Sequence, residues 1–196
     1  MPKIVDHDRY RKELLKKSFA LFAEKGYAAV TMRQIAQGLG VSTGTLYHYF
    51  PSKEALFAQL MEELTELDLL QAKTQIQQAN TLRERIHAAF ELLEQNRDYF
   101  LKQTLLIADF YQHQQRQGEE VSQVFEQLCD RVQSISADLA GINDPELTTF
   151  MLSFVDGLIL QEIYGQNRIN YQSQAELLSE MLTLYLEKHK HDHNSN

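Results

Sequence analysis

Apolar residues recur three and four positions apart along almost the whole chain, which is the spacing of one face of an α-helix. Leu15, Phe19 and Phe22 share such a face, with Leu14 and Leu21 beside it, and predict a helix over about 8–25 closed by Gly26. Thr31 stands before the next apolar run with Gln34 three residues on, a capping box for a helix that ends at Leu39 and Gly40. Ser42 or Thr43 caps a third short helix through Tyr49. Ser52 opens a fourth, long helix from about Lys53 to Gln78, with Glu54 near its positive end. Further helical stretches follow at about 81–95, 97–115, 118–140, 145–165 and 171–189, separated by Asn80-Thr81, Asn96, Gly118, the run Gly141–Pro145 and residues 165–170. No segment shows the alternation of a strand, and no repeat of fixed period is present. The expected class is all-α, with about nine helices.

Composition agrees. Three prolines and eight glycines in 196 residues leave few helix breakers. One cysteine, Cys129, cannot form an intrachain disulfide, so a reducing cytoplasm is the expected setting. The first 17 residues are too charged for a signal-peptide core, and no run approaches the ~18 apolar residues of a membrane span. The longest, about 150–160, is interrupted by Ser153 and Asp156.

Charge changes the picture more. The net charge of −8 argues against nucleic acid, but its distribution reverses that. Residues 1–54 hold nine Lys and Arg against five Asp and Glu, a local +4; the remainder carries −12. A basic head on an acidic body concentrates attraction for phosphate in one place.

The head contains the pattern of a helix-turn-helix, in which two short helices cross steeply through a tight turn. A small residue is needed at the crossing, and Ala36 stands there. The turn needs a residue tolerant of positive φ, and Gly40 supplies it. Ile35, Leu39, Val41 and Leu46 fill the wedge between the helices. The helix from Thr43 to Tyr49 is then the recognition helix, presenting Thr43, Gly44, Thr45, Tyr47 and His48 to a major groove. Lys53 can add a charge at the start of the next helix. Tyr49, Leu46 and Phe50 read as packing residues.

Gly26-Tyr27, Thr31, Ile35-Ala36, Gly40-Val41-Ser42, Gly44, Leu46-Tyr47, Tyr49-Phe50 and Lys53-Glu54-Ala55-Leu56 together resemble the DNA-binding head of the tetracycline-repressor (TetR) family over about residues 10–60. Gly38 departs from it, since many members carry alanine nearer the turn. The resemblance implies an all-helical homodimer, with a three-helix head joined by a long fourth helix to a ligand-binding and dimerisation bundle. On this plan residues 1–54 form the head, 55–189 the body and 190–196 a disordered tail. It implies DNA contacts at Thr31, Arg33, Ser42, Thr43, Gly44, Thr45, Tyr47, His48 and Lys53. It also implies self-association through about 145–189, where Gly157 would mark a dimer seam or a bend beside a cavity. The implied function is a repressor that binds an inverted-repeat operator in double-stranded DNA and is released by a small-molecule effector.

In the body, Phe90, Phe110, Phe125 and Phe154 are candidates for an effector pocket, with Asp109, His113 and Glu162 as polar anchors. The pairs His87/Glu91 and Asp109/His113 have helical i,i+4 spacing and would suit a metal if their helices met. With Cys129 as an oxidant sensor and the His-rich end 189–193, they support an alternative, a metal- or redox-responsive regulator of the same fold. No phosphate loop, nucleophile elbow or His-Glu-x-x-His motif is present. No catalytic residue, cofactor or resident metal is therefore expected.

Overall fold

The computed structural model describes residues 6–118, 123–165 and 169–193. Among these there are nine helices and no strand: α1 (His7–Lys25), α2 (Met32–Leu39), α3 (Thr43–Tyr49), α4 (Lys53–Ile76), α5 (Leu82–Gln95), α6 (Arg97–Gln117), α7 (Gln123–Ala140), α8 (Pro145–Gly165) and α9 (Tyr171–His193).

Local chemistry sets the boundaries. α1 begins at His7 because the Asp6 side chain accepts the Arg9 N–H at 3.1 Å. α2 has the expected capping box: Thr31 Oγ1 accepts the Gln34 N–H and the Gln34 side chain accepts the Thr31 N–H. A second box, Thr81 with Glu84, starts α5, and Glu84 also accepts the Asn80 N–H at 2.7 Å. That grip draws the chain out of helical geometry, and α4 stops at Ile76 instead of running to Gln78. α7 is described from Gln123, and residues 119–122 of the expected helix lie outside the described residues. α9 continues to His193, beyond the point where a tail was expected, while 194–196 lie outside the described residues.

The chain forms two compact units, Met1–Leu67 with Lys102–Cys129, and Asp68–Leu101 with Asp130–Asn196. In the first, Leu14, Leu15, Phe22, Tyr27, Ile35, Leu46, Phe50, Leu56, Phe57 and Leu60 are almost fully buried. In the second, α5 packs along α9, and Ile86, Phe90, Ile142, Leu147, Leu158, Tyr171, Ala175, Leu178 and Leu182 form the core. Burial of such side chains, about 1.5–3 kcal/mol each, stabilises each unit internally. No described helix is long and apolar enough to cross a membrane.

Candidate nucleic-acid interface and interior cavity

The turn between α2 and α3 follows from its residues. Gly40 has φ 71° and ψ 29°, the left-handed conformation in which a β-carbon is unfavourable. Its N–H donates to Gln37 O at 3.1 Å, and that of Val41 donates to Ala36 O at 3.0 Å, closing the end of α2. Ala36 and Ile35 are buried, and so is Leu46 from α3; Leu39 and Val41 are half-buried. α2 lies on α1 with almost no gap at Gly38, because a β-carbon there would overlap Leu21 Cδ1. An alanine at this position would therefore oblige the Leu21 side chain to move.

Ser42 caps α3 by accepting the Thr45 N–H at 2.9 Å, and its hydroxyl lies 2.7 Å from that of Thr45. Thr43, Gly44, Tyr47 and His48 are exposed on α3, with Tyr47 50% accessible. Arg33 and Thr31 are exposed on α2 and its cap, although the Thr31 hydroxyl is also bonded to the Gln34 side chain at 2.8 Å. Thr45 is half-buried. Leu46 and Phe50 are core, and Tyr49 packs against α1, its hydroxyl 2.8 Å from His7 Nδ1 and its ring 5.5 Å from Tyr10. Thr43, Gly44, Tyr47 and His48 thus stand exposed on α3, and Arg33 stands exposed on α2.

Lys53 sits differently. Its ammonium donates to the carbonyls of Tyr27 and Val30, each at 3.1 Å, and lies 4.2 Å above the Tyr27 ring. Burial lowers its pKa, partly opposed by the charges of Glu54 and Asp109. The side chain clamps the loop before α2 onto α4. For Glu54, burial opposes ionisation. Hydrogen bonds from its own N–H, Ser52 and Tyr27, with the Lys53 charge, outweigh it and hold the carboxyl below the usual range. On the other side of the head, Lys12 pairs with Glu63 at 2.9 Å, and Arg11 donates to Gln59 at 2.7 Å.

Four of the seven candidate effector residues collect around Tyr27. Its ring lies 4.9 Å from that of Phe110, 4.9 Å from Phe57 and 5.3 Å from His113. Phe125 stacks on Phe110 at 4.8 Å, and Asp109 accepts the Ala28 N–H at 3.3 Å. Asp109, Phe110, His113 and Phe125 thus pack against the α1–α2 corner. Glu162 accepts two hydrogen bonds from Arg97, at 2.7 and 2.8 Å, and pairs α8 with the start of α6. The neighbouring Tyr171 hydroxyl is pushed up to about 12 by burial and by the Glu162 charge. Of the candidate metal pairs, His87 Nε2 lies 3.0 Å from Glu176 and His113 packs on Tyr27. No cluster of three metal-ligating side chains occurs among the described residues. Cys129 is an exposed free thiol.

Phe90 does line a cavity, and Phe154 packs beside it with ring centroids 6.4 Å apart. This cavity of about 150 Å³ lies within the second unit, between segments of α4, α5, α7 and α8 with Leu178 of α9. Its walls include Leu69, Ala72, Ile76, Ile86, Ala89, Leu139, Met151, Leu152 and Val155, and the only charged side chain on them is Arg85. Sequence reading missed Arg85, though a signal exists: no acid lies three or four positions away, at Thr81, Leu82, Ala88 or Ala89, to neutralise it along the helix.

Comparison with known proteins follows the same division. Residues 14–60 match the family described as bacterial regulatory proteins, tetR family. The repressor KstR2 of Mycobacterium tuberculosis is 49% identical over 51 residues, which are 26% of this chain and 26% of that protein. The chain therefore aligns with about a quarter of that relative's length. The regulator BetI of Brucella canis is 26% identical over 192 residues, covering 95% of this chain and 96% of its own. Among solved structures, FadR from Bacillus subtilis in complex with stearoyl-CoA superimposes with a TM-score of 0.67 at 17% identity, covering 87% of this chain and 96% of that one. The specific positions lie in the head, and the fold extends through the body. Residues 14–60 of the chain therefore form a helix-turn-helix domain of the tetR family of bacterial regulatory proteins.

Proposed function

We propose that this protein is a homodimeric transcriptional repressor that binds an inverted-repeat operator and releases it when a small molecule enters the α4–α8 cavity. The observation that carries the reading is the exposed face of α3. Thr43, Gly44, Tyr47 and His48 are exposed, on a helix whose position is set by the Gly40 turn. Small residues at the start of α3 admit close approach to base edges, and the hydroxyls can grip phosphate oxygens.

A second copy is the natural cover for the exposed apolar side chains of α8 and α9. Phe150, Leu160 and Tyr164 recur at helical spacing on α8, and Leu177, Met181, Leu184 and Tyr185 on α9. Gly157 lies in the α8 series, and a β-carbon there would meet nothing within 4 Å. Two heads joined in this way would reach half-sites about 34 Å apart, one helical turn.

A regulator of similar fold, FadR from Bacillus subtilis, is solved in complex with stearoyl-CoA, and this chain has an apolar cavity in its second unit. Ligand must favour the state that cannot bind operator, and operator must weaken ligand by the same factor. A coupling of ~1–3 kcal/mol changes operator affinity by about 5–150-fold.

The test is fluorescence anisotropy of a labelled duplex from the protein's own upstream region, at two salt concentrations, beside an unrelated duplex. The expected result is tight binding to the upstream duplex that weakens steeply with salt and is lost in Tyr47→Ala with unchanged melting. Tyr47→Ala binding as tightly as the parent would refute the placement of the recognition surface.

A further inference from the structure

The cavity in the second unit has one charged side chain in a wall that is otherwise apolar except for Ser136 and Thr148. Arg85 reaches it from α5 and makes no ion pair among the described residues. An arginine cannot shed its charge, so a guanidinium at an apolar chamber is a standing site for an anion. The surrounding chain leaves room for it: a β-carbon at Gly141 would come within 2.5 Å of Arg85 Nη1. A second concavity shares Ile76, Arg85 and Leu139 with the first and adds Lys73 and Asp138. Arg85 therefore stands where the apolar interior meets a polar mouth carrying a further cation and one acid.

Size limits what can enter. A volume of about 150 Å³ is below the usual range for drug-sized ligands. It is the size of a dry, apolar-lined cavity known to hold benzene, which corresponds to a body of about six to eight carbons. Planar, forked donors favour a carboxylate, which takes two parallel hydrogen bonds from one guanidinium.

We propose that the ligand is a compact amphipathic carboxylate, its apolar body among Phe90, Ala89, Leu139 and Val155 and its carboxylate on Arg85. The inference rests on reading this cavity as the effector site and names the chemistry of what fills it. Ala72 and Ala89 make the room, and Arg85 selects the head.

Isothermal titration calorimetry of the full chain with octanoate, 1-octanol and octylamine tests this directly. Octanoate binds at least tenfold tighter than the alcohol or the amine, and Arg85→Gln removes that preference while leaving 1-octanol affinity within about twofold. Ala89→Leu, which fills the chamber and keeps Arg85, weakens octanoate and 1-octanol together. Equal affinity of octanoate and 1-octanol in the parent protein overturns the carboxylate assignment, as does preference for octylamine or absence of binding by all three. The operator assay separates this from the reading it rests on. Arg85-dependent octanoate binding without release of the duplex supports the site and refutes its role as effector pocket. Release of the duplex by 1-octanol as readily as by octanoate supports the effector pocket and refutes the head-group assignment.

Discussion

Replacing Gly38 by alanine sets two effects of similar size against each other. Alanine is favoured over glycine in a helix interior by about 1 kcal/mol, so α2 considered alone gains stability. The added β-carbon overlaps Leu21 Cδ1 and lies 3.4 Å from its Cγ, so Leu21 must leave its rotamer or α2 must lift from α1. Overpacking of this kind, its off-rotamer strain included, costs about 1–3 kcal/mol, and the middle of that range exceeds the propensity gain. Gly38→Ala is expected to destabilise the protein by about 1 kcal/mol. In a Leu21→Ala background the obstruction is gone, and the same change is expected to stabilise by about 1 kcal/mol. The double-mutant cycle, read from urea unfolding by circular dichroism, should therefore show a coupling of about 2 kcal/mol with a change of sign. The same four proteins titrated with labelled operator report whether lifting α2 displaces α3. Additivity within about 0.5 kcal/mol would refute the account of Gly38 as a packing contact.

Phe110→Ala removes a ring from the stack on Phe57 and Tyr27 and is expected to cost about 3–5 kcal/mol, measured by the urea midpoint; a loss below 1 kcal/mol would mean the cluster contributes little. Glu162→Gln removes the carboxylate that pairs with Arg97 in a partly buried setting and is expected to cost about 2 kcal/mol, whereas an unchanged midpoint would mark the pair as solvent-screened. Because the Glu54 pKa is held below its ordinary value of 4.5, its contribution is present above that pH and is lost as pH falls through the lower folded value. The parent should therefore lose melting temperature below about pH 4.5 more steeply than Glu54→Gln, and parallel curves would count against this role.

Most of the helical plan was legible because helices announce themselves locally. Periodicity, the Thr31–Gln34 and Thr81–Glu84 boxes and Gly40 each act within a few residues; α4 stopped early where a neighbouring cap intervened, at Ile76, and α6 and α9 ran on to Gln117 and His193. The exposure of α3 was legible for the same reason, since Tyr47 and His48 are exposed while Leu46 and the capping Phe50 are core. What periodicity cannot disclose is the partner of a buried face. Phe110 and Phe125 read as apolar positions in the body, yet Phe110 packs on Tyr27, more than 80 residues away in sequence, and Phe125 stacks on Phe110 and Phe57. The cavity was equally hidden, because it is made by small residues such as Ala72 and Ala89, and missing bulk leaves no pattern. Lys53 read as an available charge; its carbonyl partners come from a loop whose path only the folded chain reveals.

The cluster around Tyr27 has a consequence for portability. A head excised at residue 54, or at the end of its own compact stretch at Leu67, would leave Tyr27 and Phe57 without the rings of Phe110 and Phe125 and the Ala28 N–H without Asp109. A graft of this reading head onto another regulator's body therefore needs residues 102–129 in addition to the N-terminal segment, so the transferable module is discontinuous in sequence. Exchange by a single crossover would produce a head that lacks part of its own core, and recombination within such a protein should be tolerated only where both segments come from the same parent.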